Sequence, residues 1–102
     1  VTYAEFVAGF LTDHPEVAES QMFGMPCLKF GGKAILGDWE GSAVFKLDPA
    51  DVDGVLEIEG AHLFEPMGGR PMKQWVVVPS AQADSWDDLG SMALDYAASQ
   101  AK

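Results

Sequence analysis

Apolar residues recur at helical spacing near both ends of the chain and at strand-like spacing between them. Tyr3, Phe6, Val7, Phe10 and Leu11 fall at i, i+3, i+4, i+7 and i+8, one face of a helix. Thr2-Tyr3-Ala4-Glu5 ahead of them is a capping box: Thr2 can accept from the Glu5 amide, and Glu5 can reach back to the Thr2 amide. His14-Pro15 stops the helix, because the residue before proline is pushed out of the helical region. At the other end, Trp86, Leu89, Ala93, Tyr96 and Ala97 line one face of a helix expected over residues 84–98, with Met92 broadening it. Asp84, Asp87 and Asp88 suit the positive end of its dipole. Gly90 weakens the middle of that helix by about 1 kcal/mol against alanine and leaves room for close packing.

Between the helices the pattern shortens. Residues 20–23 form a first strand candidate after a link through Glu16, Val17, Ala18 and Glu19. Residues 27–30 and 33–36 flank Gly31-Gly32, a two-residue turn able to take positive φ at both positions. Further turn chemistry follows in Gly37-Asp38-Trp39-Glu40-Gly41, then a strand over residues 42–47. Strands this close in sequence pair as antiparallel neighbours. Asp48, Pro49 and Asp51 then open a short second helix with Val52, Val55 and Leu56 on its apolar side, ending near Gly60. Residues 62–74 look irregular, with Pro66, Gly68, Gly69 and Pro71 close together. Residues 74–78 are apolar on both faces, so they read as a well-covered strand, closed by Pro79. The expected architecture is one α+β domain: an antiparallel meander flanked by N-terminal and C-terminal helices.

Composition narrows the function. The chain has 102 residues and a formal charge of −10, from 16 acidic and 6 basic side chains. Such a surface repels nucleic-acid phosphates and anionic membranes, where affinity comes from Lys and Arg. A soluble protein with neutral, small or basic partners fits better. No apolar run approaches the roughly 18 residues of a membrane span, and no signal-peptide pattern is visible at the N-terminus. The lone cysteine, Cys27, cannot form an internal disulfide, so a cytoplasmic location is expected.

The candidate chemistry is sparse. With one cysteine and two separated histidines, His14 and His62, no metal-ligand spacing exists and no cofactor is implied. Cys27 has Lys29 nearby but lacks the setting of an activated thiol. The acid pairs Asp51/Asp53, Glu57/Glu59 and Asp87/Asp88 sit at helix starts and on exposed faces, where solvated caps are the ordinary role. Gly31-Gly32 and Gly68-Gly69 match no phosphate-binding pattern. Two groups stand out. Lys29, Lys46, Arg70 and Lys73 would form a small cationic patch if they converged, suited to a carboxylate, a phosphate or a partner's acidic segment; the alternative is solvated strand-face lysines and a loop arginine paired with a nearby acid. Met22, Phe23, Met25, Trp39 and Met67 cluster near turns, as at protein interfaces or in an ordinary small core. Within this group Phe23, Met25 and Trp39 are the candidates for an interaction surface, with a homodimer or another protein as occupant.

Several pieces in order carry a family resemblance. Met22-Phe23-Gly24, the hairpin closed by Gly32-Lys33, and Val44-Phe45-Lys46-Leu47-Asp48 leading into a short helix resemble the N-terminal domain of the TfoX/Sxy family. Gly69-Arg70-Pro71-Met72 before Trp75-Val76-Val77-Val78-Pro79, and Trp86-Asp87-Asp88-Leu89 opening the last helix, continue the resemblance over residues 3–99. The end of the chain is equally similar to the related MmcQ/YjbR-like proteins. The resemblance implies an antiparallel sheet flanked by helices and a regulatory role like that of competence regulators, which act with a transcription factor on promoters. It supplies no catalytic residues. The expected function is a non-enzymatic protein-interaction domain. The alternative is a small-anion-binding module, or even an enzyme, using Arg70 and the lysines, and direct DNA binding is disfavoured by charge.

Overall fold

Thr2 caps the first helix as its sequence requires. Its hydroxyl accepts from the Glu5 amide at 3.1 Å while the Thr2 amide donates to Glu5 Oε1 at 2.9 Å. These bonds favour the ionised carboxylate and hold Glu5 below its usual range. The computed structural model describes residues 2–22, 24–65 and 71–100. Helix α1 spans Tyr3–Asp13 and buries Tyr3, Phe6, Val7 and Phe10. Six strands follow: β1 Ala18–Met22, β2 Met25–Phe30, β3 Lys33–Trp39 and β4 Ser42–Lys46, then β5 His62–Phe64 and β6 Met72–Val78. Helix α2, Pro49–Val55, lies between β4 and β5, and a 3₁₀ turn at Ser80–Ser85 leads into α3, Trp86–Gln100.

All neighbouring strands are antiparallel, in the order β1-β2-β3-β4-β6-β5. The meander runs unbroken through β4. The chain then crosses by α2 to the far edge, lays down β5, and returns as β6 between β4 and β5. The expected α+β architecture is therefore the one observed, with one reversal at its end.

Three local departures have physical reasons. Residues 37–39 continue β3, and the turn is confined to Glu40-Gly41, both at positive φ (52° and 87°). Gly37 sits in the strand because the Met25 methyl packs over it: a Cβ there would lie 2.8 Å from Met25 Cε. Second, β5 emerges from the stretch that looked irregular, pairing His62 with Val77 and Leu63 with Val76. Three residues are too short a segment for alternation to register. Third, β3 carries an extra residue. Leu28 pairs with Leu36 but Lys29 pairs with Ala34, leaving Ile35 bulged.

The sheet separates two apolar clusters. On one face α1, α2 and α3 pack through Phe6, Phe10, Val52, Trp86 and Leu89 against sheet residues such as Leu28 and Phe45. The ring of Phe6 meets those of Phe10, Phe45 and Trp86 at centroid distances of 5.5, 6.3 and 5.6 Å. The Trp86 indole N–H is satisfied by the Val78 carbonyl at 3.2 Å. Gly90 allows α3 to approach α1, since a Cβ there would sit 2.7 Å from Phe10 Cε1. The other face holds a smaller cluster of Met25, Val44, Phe64, Trp75 and Val77, to which no helix contributes.

Candidate functional site

The four described lysines gather at one end of the sheet. Lys29 and Lys33 flank the β2–β3 turn, Lys46 ends β4 and Lys73 lies near the start of β6. None of them makes an ion pair or a side-chain hydrogen bond among the described residues, although the chain carries ten more acids than bases. The acids of the strands lie elsewhere. Glu19 pairs with Leu28 and Asp38 with Ala43, which places both on the helix side of the sheet. Glu40 is in the turn at the opposite end.

Pairing fixes which face the lysines use. Ala18, Lys29 and Ala34 are successive cross-strand partners on β1, β2 and β3, and Lys46 is opposite Trp75 on β6. Ala34 and Trp75 belong to the helix-free cluster, so Lys29 and Lys46 project from that same face. They stand two strands apart, on the order of 10 Å between backbones, with the short side chain of Ala34 between them. Lys73 is exposed beside Met72, where the β5–β6 register is irregular. Arg70 lies outside the described residues. Of the expected cationic patch, the structure thus brings Lys29 and Lys46 onto one face and Lys73 to the same end of the sheet.

The aromatic and methionine group divides differently. Met25 is buried at 5% exposure, packed over Gly37. Trp39 is half-buried, its ring meeting Phe64 edge-on at 5.0 Å. Both therefore help close the helix-free cluster, and beside the partly buried Lys29 and Lys46, Trp75 is itself buried. Phe23 lies outside the described residues.

The β3 bulge opens a second feature at this end. The β3–β4 ladder stops at Leu36–Phe45, so the strands part where Ile35 and Lys46 would otherwise pair. The gap is a cleft of about 90 Å³ between the hairpin and the last turns of α3, lined by Lys33, Ile35, Lys46, Ala93, Tyr96 and Ala97 among others. Gln74 on β6 bonds one of the lining residues: its Nε2 donates to the Leu47 carbonyl at 3.2 Å and to the Tyr96 hydroxyl at 2.8 Å. That hydroxyl already accepts, which leaves its own proton to donate.

No family model matches the chain, and no curated protein or solved structure matches it either.

Other candidate residues have simple settings. Cys27 is 1% exposed, and burial pushes its thiol pKa up despite an opposing pull from Lys29. That is the reverse of an activated nucleophile. His14 caps α1 and stacks on Phe10 at 4.4 Å; His62 is exposed on edge strand β5. No group of three or more His, Cys, Asp or Glu among the described residues could hold a metal. No helix among them is long and apolar enough to cross a membrane.

Sequence reasoning missed Lys33, Tyr96 and the bulge. The signal for the bulge was present: Ile35 and Leu36 are adjacent and both apolar, and both are buried on the helix side. Two consecutive inward residues break strand alternation and mark an inserted one. The Gln74–Tyr96 bond joins residues 22 apart in sequence, and no local pattern announces it.

Proposed function

We propose that this chain is a non-enzymatic protein-interaction domain of regulatory type, which docks an acidic, partly apolar segment of a partner on the helix-free face of its sheet. The observation that carries the reading is the collection of lysines at one end of the sheet with no ion-pair partner among the described residues, Lys29 and Lys46 standing on the helix-free face beside the buried Trp75. Cations without an acidic partner among the described residues, on a strongly acidic molecule, supply charge complementarity, which steers encounter and fixes register. Partly covered apolar residues supply the area. The ordered resemblance to TfoX N-terminal domains supports a regulatory role, and the overall charge of −10 argues for a protein partner over nucleic acid.

Calorimetry with two synthetic peptides of equal length tests the reading, one alternating Glu and Leu, the other alternating Lys and Leu. The acidic peptide is expected to bind, with an affinity that falls as salt rises. Preference for the basic peptide would reject the lysine surface. Binding of duplex DNA at low salt that outcompetes the acidic peptide would replace it with a nucleic-acid function.

A further inference from the structure

We infer that the groove between α1 and the β1 side of the sheet binds a linear aliphatic diamine, one ammonium at Asp38 and the other at Glu19. The site lies on the helix side of the sheet and shares no residue with the lysine row, so it does not rest on the docking face.

Register sets the spacing of the two acids. Glu19 on β1 is level with Leu28, and Asp38 on β3 comes one residue after Gly37, the partner of Cys27. They are therefore two strands and two residues apart, roughly 12 Å between backbones. Both line one groove of about 370 Å³. The surface they share with it is apolar, from Val7, Ala8 and Leu11 on α1 and Pro26 on β2, the strand between theirs. No basic residue lines the groove among those described. Two carboxylates separated by apolar surface complement two ammonium groups joined by an alkyl chain.

A second observation sets this groove apart. Acids also line clefts beside Asp84 and Asp87 and beside Asp48 and Asp95. Only here does a buried polar side chain lack a partner among the described residues. Tyr3 lines the groove at 9% exposure, and its hydroxyl makes no hydrogen bond. The Cys27 thiol, Asp38 and Glu19 all lie within electrostatic reach of that oxygen, so the phenol is directed toward the two acids of the groove. Neither acid bonds to it directly. An ammonium has three donors, enough to join the hydroxyl oxygen to a carboxylate. Asp38 is prepared for this: Oδ1 accepts from the Gly41 amide at 3.1 Å, which orients the carboxylate and leaves Oδ2 for the ligand. Less than 1 Å² of the tyrosine oxygen is exposed, so the contact forms as side chains around it yield, and the exposed Glu19 is one that can.

Two terms limit the affinity. Ion pairs at exposed positions contribute little, and the groove is lined in part by exposed residues. A millimolar dissociation constant is expected, with both ammonium groups needed to reach it.

Amide-resolved NMR titration of the full 102-residue chain with 1,5-diaminopentane tests the inference, against sodium chloride at matched ionic strength and against pentylamine, which keeps the carbon chain and one ammonium. The diamine is expected to shift the amides of Ala8, Glu19 and Asp38 saturably, and pentylamine to bind about threefold more weakly. Tyr3→Phe should weaken the diamine about tenfold, the usual cost of losing a hydrogen bond to a charged group, while raising the unfolding midpoint. A purely structural tyrosine would not split those two readouts. Glu19→Gln, at an exposed position, should keep the wild-type unfolding midpoint and bind about threefold more weakly. Equal shifts from sodium chloride, or pentylamine binding as tightly as the diamine, would overturn the inference. So would wild-type diamine affinity in either variant. Saturation of the same amides by the Lys-Leu peptide but not by the diamine would also overturn it, assigning the groove to a basic protein segment. Acidic-peptide binding should be retained in Glu19→Gln, while failure of that peptide to bind any variant rejects the docking face alone.

Discussion

The two faces of the sheet are built from similar residues and have different fates. The helix side is sealed by three helices, and its largest side chains, Trp86, Phe10 and Phe45, are 0–2% exposed. The other face closes over itself with Met25, Trp39 and Phe64 at one end and carries the partly buried Lys29 and Lys46 at the other. Close packing on the first face resists substitution, because neighbours relax only partly around a lost or added atom. The second face accommodates charged residues at its lysine end, where Lys29 and Lys46 are only partly buried. Stability is thus concentrated on one side, and the proposed recognition uses the other.

Substitutions should separate the faces in graded fashion. Trp86→Ala removes the centre of the helix side and leaves the Val78 carbonyl without its indole donor, so it should cost about 3–5 kcal/mol in denaturant unfolding. A loss below that of Trp39→Ala would break the comparison. Gly90→Ala should destabilise by about 1–3 kcal/mol, despite better helix propensity, because its Cβ would press on Phe10 at 2.7 Å. On the second face, Trp39→Ala should cost only about 1–2 kcal/mol, having a half-buried ring and its edge contact with Phe64 to lose.

Tyr3 offers a gain instead of a loss. Its hydroxyl is buried with no hydrogen-bond partner among the described residues, and burial, with smaller contributions from Cys27, Asp38 and Glu19, raises its pKa well above the ordinary tyrosine range. The unfolded chain releases that proton first, so stability is whole below the ordinary tyrosine range and falls as pH rises through and above it. Tyr3→Phe should stabilise the protein by about 1 kcal/mol at neutral pH and flatten the alkaline decline in unfolding midpoint. An unchanged alkaline slope would assign the decline to other groups. Smallest of all, Lys29→Glu with Lys46→Glu should alter stability by no more than about 0.5 kcal/mol, since neither lysine has an ion-pair partner among the described residues.

Much of the fold was legible where one rule governs a whole element. The capping box and the i, i+3, i+4 series place α1, and Gly31-Gly32 closes its hairpin at positive φ, 59° and 82°. Legibility failed where tertiary contact overrides a local signal. Gly37 reads as a turn residue, yet it is a strand position kept free of a side chain for Met25. Strand β5 is too short to show a period, and it exists because β6 offers a free edge. The site was legible by half. Alternation places Lys29 and Lys46 opposite the main core, as expected, but the parting of β3 from β4 and the Gln74–Tyr96 bond depend on long-range packing.

The central claim is that recognition resides in the lysine end of the helix-free face. Amide-resolved NMR with the alternating Glu-Leu peptide, on wild type and on the Lys29→Glu/Lys46→Glu double variant, tests it most directly. The account predicts shifts centred on Lys29, Ala34, Lys46 and Trp75 that vanish in the double variant while its unfolding midpoint stays put. Shifts centred on α1 or on the Glu40-Gly41 turn, or shifts undiminished by the double substitution, would contradict it.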